Sequence, residues 1–379
     1  MKLPVISAIL LGSVCLATAD TSAAPALQDG SPPTTAEPVL FIRTANGKPE
    51  GRLLFQPKRL LRAYAFNPDR EFPVTDFILD GRKITHAGHE PIPHWTEHDF
   101  VSPEKTDTHE QPHADGKRYI LYGGHRLFAD RQIHFDYETD EPWRGPIPRD
   151  QSANLPRLHR KIRNHEPIVL TILGDSISQG CDSTAWSNVP PKLPPYRDLL
   201  ARAIRQASGA SVTLRNLAVG GKATPWGVEQ TGAVARTKPD LLVIAFGMND
   251  SSARRPDKTF VRNITAIMDG VRTDCPDTEF LLVSGMTPNP FWAHSHPEYL
   301  ETYHKSLQKL AGPHVAVGDV RTTWLHVLER KGFFDLTGNG INHPNDYGHR
   351  LYANVLARTI LGPREPTFGE RGQSQGAQW

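Results

Sequence analysis

The sequence predicts an α/β protein, a doubly wound parallel sheet preceded by a smaller antiparallel β domain. Three observations carry that expectation. After Glu166, apolar runs such as IVLTIL, DLLVIAF and EFLLVSGM alternate with helical stretches; strands apolar throughout are buried on both faces, and their alternation with helices implies parallel crossovers. Before Asp150, short apolar runs are broken by Pro, Gly and Asp, with Asp80-Gly81 between two alternating runs as a hairpin signal. A chain of 379 residues also exceeds the usual single domain of roughly 100 to 200 residues, so two units are expected.

Taken in order, the chain starts with Lys2, an apolar stretch from Val5 to Leu16, and Ala17 and Ala19 in the A-x-A arrangement that signal peptidase reads. Residues 1–19 are therefore expected to be a cleaved signal peptide and the protein to be secreted or periplasmic. Residues 20–36 are small, polar and proline-rich, a composition that reads as a flexible leader. Residues 37–150 form the expected N-terminal β domain, interrupted by an irregular histidine-rich loop between His86 and Gly116. No histidine pair there has the spacing of a zinc motif, so those histidines are read as structural or solvated, and no metal is expected. Residues 151–165 read as a linker and 363–379 as a disordered tail. Between them, helices are expected at Pro195 to Ser208, Asp257 to Thr273, Pro297 to Leu310, Thr322 to Lys331 and Asp346 to Leu361.

Composition narrows the partners. Lys plus Arg is 43 against 41 for Asp plus Glu, so no strong field draws the protein to nucleic acid or anionic lipid. No run after the signal approaches the roughly 20 apolar residues of a membrane span. Only Cys181 and Cys275 remain in the mature chain, at opposite edges of the expected sheet, and two free thiols follow.

The chemistry concentrates where strands end, the edge at which open α/β sheets bind ligands. Ser176 follows IVLTIL and a Gly-Asp pair, at the start of a helix where free N–H groups and the helix dipole favour negative charge; by itself such a serine is more commonly a helix cap. The paired glycines in NLAVGGKAT allow a backbone N–H to approach a ligand closely, although a tight turn explains them equally well. FGMND brings Asn249, a neutral amide donor whose bland role is an Asx-turn or cap. His343 precedes a proline and the last helix and can act as a base. Four strand ends are thus expected to deliver, in sequence, a nucleophile, two oxyanion donors and a general base.

With those blocks in hand, residues 168–361 resemble an SGNH (GDSL-like) hydrolase: GDSIS is similar to its first block, NLAVGG to its second, GMND to its third and NHPND to its last. The resemblance implies a flavodoxin-like sheet, Ser176 as nucleophile and His343 as base. It also implies an oxyanion site from the Ser176 and Gly221 N–H groups and the Asn249 amide; Gly221 is preferred to Gly220 because it lies five residues after Asn216. The N-terminal region resembles the jelly-roll-like modules that precede some secreted carbohydrate esterases of this superfamily.

One departure stands out. The family's last block is Asp-x-x-His, and here Gly340 lies three residues before His343 while Asn339 and Asn342 are neutral. Asp346 is explained by capping the last helix. The expectation is therefore a Ser-His dyad whose imidazole is oriented by a backbone carbonyl or by Asp335. The function expected is a secreted, cofactor-free serine esterase acting on short-chain, above all acetyl, esters of small molecules or oligosaccharides, with Trp186, Trp226, Phe291 and Trp292 as sugar-stacking candidates. The alternatives are a non-catalytic carbohydrate-binding protein on the same scaffold, favoured by the missing Asp, and an O-acyltransferase. The sequence is silent on oligomeric state.

Overall fold

The structure, a computed structural model, describes residues 34–45 and 47–362. The expected signal segment, the leader up to Pro33 and the expected tail lie outside the described residues.

Five parallel strands form the central sheet: Ile168–Gly174, Val212–Asn216, Leu241–Ala245, Glu279–Ser284 and Val315–Asp319, in the spatial order 2-1-3-4-5. This is the flavodoxin-like doubly wound order. Its strands read as continuous apolar runs because alternate residues enter two different cores. Leu241 and Val243 pack on the face covered by helices Tyr196–Ser208 and Asp346–Leu361, with Leu200, Ile204 and Leu356. Leu242 and Ile244 pack on the opposite face, under Asp257–Asp274 and Pro297–Gln308, with Phe260, Ile264 and Tyr303. Each such buried Leu or Ile stabilises by about 1.5–3 kcal/mol relative to exposure.

The N-terminal region holds antiparallel sheets. One runs Thr34–Leu40, Gln132–Glu138, Arg59–Phe66, Asp69–Phe72 in spatial order, and a second runs Phe77–Asp80, Lys83–His86, Pro49–Arg52, Ile42–Arg43, Trp95–Thr96. The Asp80-Gly81 hairpin is present, with Asp80 opposite Lys83. Phe41, Phe77 and Phe135 fill the space between the sheets, with ring centroids 5.1 to 6.1 Å apart.

Several local expectations are corrected. Residues 34–36, expected in the leader, begin a strand that pairs with Gln132–Glu138. The stretch expected as a linker contains the helix Pro156–Arg163, whose Leu158 and Ile162 are buried and whose first N–H groups, on Arg157 and Leu158, donate to the buried Glu279 carboxylate at 3.0 and 2.8 Å. The pair Ile42–Arg43 with Trp95–Thr96 is parallel, and the histidine-rich loop carries short strands at Val101–Ser102 and Gln111–Pro112.

The two regions share a buried ionic contact. Lys331, fully buried, donates to Glu37 at 2.6 Å and to the carbonyls of Pro38 and Arg52 at 3.0 and 2.9 Å. Glu37 also accepts from the Tyr137 hydroxyl at 2.6 Å and the Leu54 N–H at 2.8 Å, so both charges are multiply satisfied. A buried pair of this kind costs much to break from one side, because the remaining charge is left without a partner.

Burial also sets an acid sensitivity. His134 sits against Tyr64 and Phe66, and burial, reinforced by the charges of Arg350 and Lys331, lowers its pKa to about 3 from the ordinary 6.5. Between those values the unfolded chain holds a proton at this position that the folded chain does not, so stability falls as pH falls through that window. His134→Phe should therefore lose less stability than the parent between pH 7 and pH 4, the difference being on the order of 3 kcal/mol in urea titrations. An equal loss in both proteins would contradict the assignment.

Candidate active site

The first strand ends at Gly174, and Asp175 caps a one-turn helix, Ser176–Gln179, by accepting the Ile177 N–H at 3.0 Å. The cap is thus Asp175, and the Ser176 hydroxyl is free for another partner. Burial pushes the Asp175 carboxyl up to about 7. Ser176 Oγ lies 2.8 Å from His343 Nε2, and His343 Nδ1 lies 2.6 Å from Asp182 Oδ2. The three side chains form one continuous hydrogen-bonded chain.

Asp182 replaces both expected partners of the imidazole. The one-turn helix ends at Gly180, whose left-handed backbone turns the chain, and Asp182 two residues further on meets the imidazole on the side away from Ser176. Burial alone would raise the Asp182 carboxyl, but the bond to His343 and the His125 N–H outweigh it, and the group lies below the ordinary carboxylate value. It stays ionised, as a carboxylate that fixes an imidazole tautomer must.

Asp335, the expected acid, does not touch the imidazole. Its carboxylate accepts the N–H groups of Leu40 and Gly332 at 2.6 and 3.0 Å and faces Lys331, and burial raises its pKa. Asp335→Asn should lower stability by about 1.5–3 kcal/mol, the range for hydrogen bonds to a charged group, while leaving kcat within about twofold. A calorimetric scan beside an esterase assay reads both. Asp346 is structural, though not as the cap: Asn345 accepts the Gly348 N–H at 3.0 Å, and Asp346 ties down Thr184 through its N–H and hydroxyl at 2.8 and 2.7 Å.

The histidine is carried by a loop, not by a fourth strand end. Asn339 organises that loop: its side-chain oxygen accepts the N–H groups of Ile341, Asn342 and His343 at 2.9, 3.0 and 3.1 Å. Gly340 has φ +83, and a Cβ there would meet the Leu121 carbonyl at 2.6 Å and the Phe128 ring at 2.7 Å. No side chain fits where the family's acid would stand.

The proposed oxyanion donors come from the first three strand ends. Gly220 donates its N–H to Gln179 Oε1 at 2.8 Å, which holds this turn against the serine helix. The N–H groups of Ser176 and Gly221 donate to no protein acceptor among the described residues. Asn249 uses one amide hydrogen on the Lys222 carbonyl at 2.9 Å, which leaves the other available. Around the site, Trp186 and Phe291 are 40% and 58% exposed, whereas Trp292 is tied to Gln111 and Trp226 packs edge-on against Phe246. Cys181 and Cys275 are unpaired, and burial raises the Cys181 thiol to about 12. Among the described residues, no group of three or more His, Cys, Asp or Glu side chains is placed to hold a metal ion, and no helix is long and apolar enough to cross a membrane.

A hydroxyl, an imidazole and a buried carboxylate in line, beside unengaged N–H donors on a doubly wound sheet, is the equipment of an acyl-transferring hydrolase. Residues 172–351 match the GDSL-like Lipase/Acylhydrolase family model, and the α/β part of the chain is a carboxylic ester hydrolase of that type. No curated protein matches the sequence. The fold is similar to that of a two-domain esterase active on acetylated mannans, at 22% identity over 59% of this chain and 58% of that one, with a TM-score of 0.45. It is also similar to a catalytic mutant of an acetylxylan esterase from Geobacillus stearothermophilus, at 14% identity over 54% and 97% of the two chains, TM-score 0.42. A lipase/acylhydrolase from Enterococcus faecalis shows 22% identity over 53% of this chain and 100% of that one, TM-score 0.40.

Proposed function

We propose that this chain is an exported esterase that removes short acyl groups, acetyl above all, from carbohydrates. In this reading Ser176 is the nucleophile, His343 the base and Asp182 the third member of a triad. The hydrogen-bonded chain from Ser176 Oγ through His343 to Asp182, at 2.8 and 2.6 Å, is the observation that carries it.

The reaction follows from that order. His343 Nε2 takes the Ser176 proton as Oγ bonds to the ester carbonyl carbon, while Asp182 stabilises the imidazolium. The former carbonyl oxygen becomes an oxyanion received by the Ser176 and Gly221 N–H groups and the free Asn249 amide hydrogen. The tetrahedral species collapses, the C–O bond to the alcohol breaks, and the alkoxide leaves with the proton held by His343. Water then repeats the sequence on the acyl-enzyme and regenerates Ser176.

Two exposed rings support a sugar substrate. The indole of Trp186 lies flat against His125, with centroids 5.3 Å and planes 14° apart, and Phe291 lies flat against His113 at 5.7 Å and 11°. Each histidine packs on one ring, the two residues remain 40% and 58% exposed, and such amphipathic ring surfaces suit the apolar face of a pyranose. The carbohydrate-binding alternative rested on the missing acid, and Asp182 removes that support.

Acetate release from acetylated xylan, mannan and pectin fragments, measured beside p-nitrophenyl esters of increasing acyl length, tests the substrate class. Release from at least one glycan, with p-nitrophenyl rates falling as the acyl chain lengthens, is expected. A preference for long acyl chains without any acetate release would contradict the reading.

A further inference from the structure

We propose that the N-terminal β region is a working part of the catalytic apparatus: the segment Gly123-Gly124-His125 positions the triad acid. The proposal rests on the reading of Asp182 as that acid. Asp182 Oδ2 is bonded to His343, and its other oxygen, Oδ1, accepts the His125 backbone N–H at 3.0 Å. Both oxygens therefore have a directed donor, one from each region of the chain. The carboxylate cannot rotate without losing one of them.

Close packing enforces the same orientation. A Cβ at Gly124 would stand 2.6 Å from Asp182 Oδ1, so a glycine is what allows this backbone to lie against the carboxylate. The adjoining contacts reach the histidine loop as well. Gly123 donates its N–H to the Asn339 carbonyl at 3.2 Å, and Asn339 is the residue whose side chain gathers the Ile341, Asn342 and His343 N–H groups. The Leu121 carbonyl stands where a side chain at position 340 would project. One segment of the N-terminal region thus closes off the usual position of the acid and holds the substitute acid in place. Gly124, His125 and Gly123 are positioning residues, acting through Asp182 and Asn339.

The test is a double-mutant cycle in the full chain, with Gly124→Ala, Asp182→Ala and the pair assayed on p-nitrophenyl acetate. Gly124→Ala turns the carboxylate away, so kcat should fall tenfold or more with KM within twofold, while the same change in the Asp182→Ala background should alter kcat less than twofold. If Asp182→Ala impairs the enzyme and Gly124→Ala does not, or if Gly124→Ala costs as much without Asp182 as with it, the positioning role is overturned and the triad stands. If Asp182→Ala leaves the rate unchanged, the triad reading itself fails. Should Gly124→Ala not fold, amide exchange reads the bond directly: the His125 N–H should be protected in the parent and lose protection in Asp182→Ala, and an unprotected His125 in the parent would overturn the proposal.

Discussion

Ser176→Ala should reduce kcat for ester hydrolysis by roughly 10⁴-fold or more, the scale seen when a triad nucleophile is removed. The variant should fold normally. Among the described residues the Ser176 hydroxyl is bonded only to His343, the capping of its helix belongs to Asp175, and the sheet beneath is held by the two apolar cores. The unfolding midpoint is therefore expected to move by no more than about 1–2 °C, on the order of 1 kcal/mol for a chain of this size. Lost activity with an unchanged midpoint separates chemistry from folding, and retained activity in a folded variant would contradict the assigned nucleophile.

Asp182→Asn is expected to cost roughly 10⁴-fold in kcat, and at least as much as Asp182→Ala, although it is the more conservative change. The reason is the second donor on the carboxylate. The His125 N–H requires an acceptor, so the asparagine oxygen stays where Oδ1 is now, and the amide nitrogen turns toward His343 Nδ1. That nitrogen donates, which forces Nδ1 to accept and places the imidazole proton on Nε2, facing Ser176. A protonated Nε2 cannot take the hydroxyl proton. Alanine imposes no tautomer. Parallel kcat measurements on the two variants check the order, and an asparagine variant much faster than the alanine one would contradict the geometry.

The sheet was legible because burial on both faces leaves continuous apolar runs, as in IVLTIL and EFLLV, and because the helices between them are long enough to show. The hydroxyl, the imidazole, the glycine turn and the asparagine were legible because each follows an apolar strand or precedes a helix in a recognisable block. Asp182 was not. Its nearness to His343 depends on Gly180 ending a one-turn helix and reversing the chain, and on a backbone N–H from a residue 57 positions away. Asp335 looked plausible because it is close to His343 along the chain, but the buried loop that holds it is tied to Leu40 and Gly332 instead. Asn339 stood out in the sequence only as a neutral residue near the expected acid, whereas its side-chain oxygen gathers three loop N–H groups. Contacts between distant segments, such as Gly124 against Asp182, leave no periodic trace in the sequence.

The most direct measurement is the site and rate of labelling by a fluorophosphonate probe, read by peptide mass spectrometry on the native chain and on His343→Ala. A single adduct on Ser176 is expected, forming much more slowly once the imidazole is removed. An unlabelled Ser176, or labelling at the same rate without His343, would contradict it.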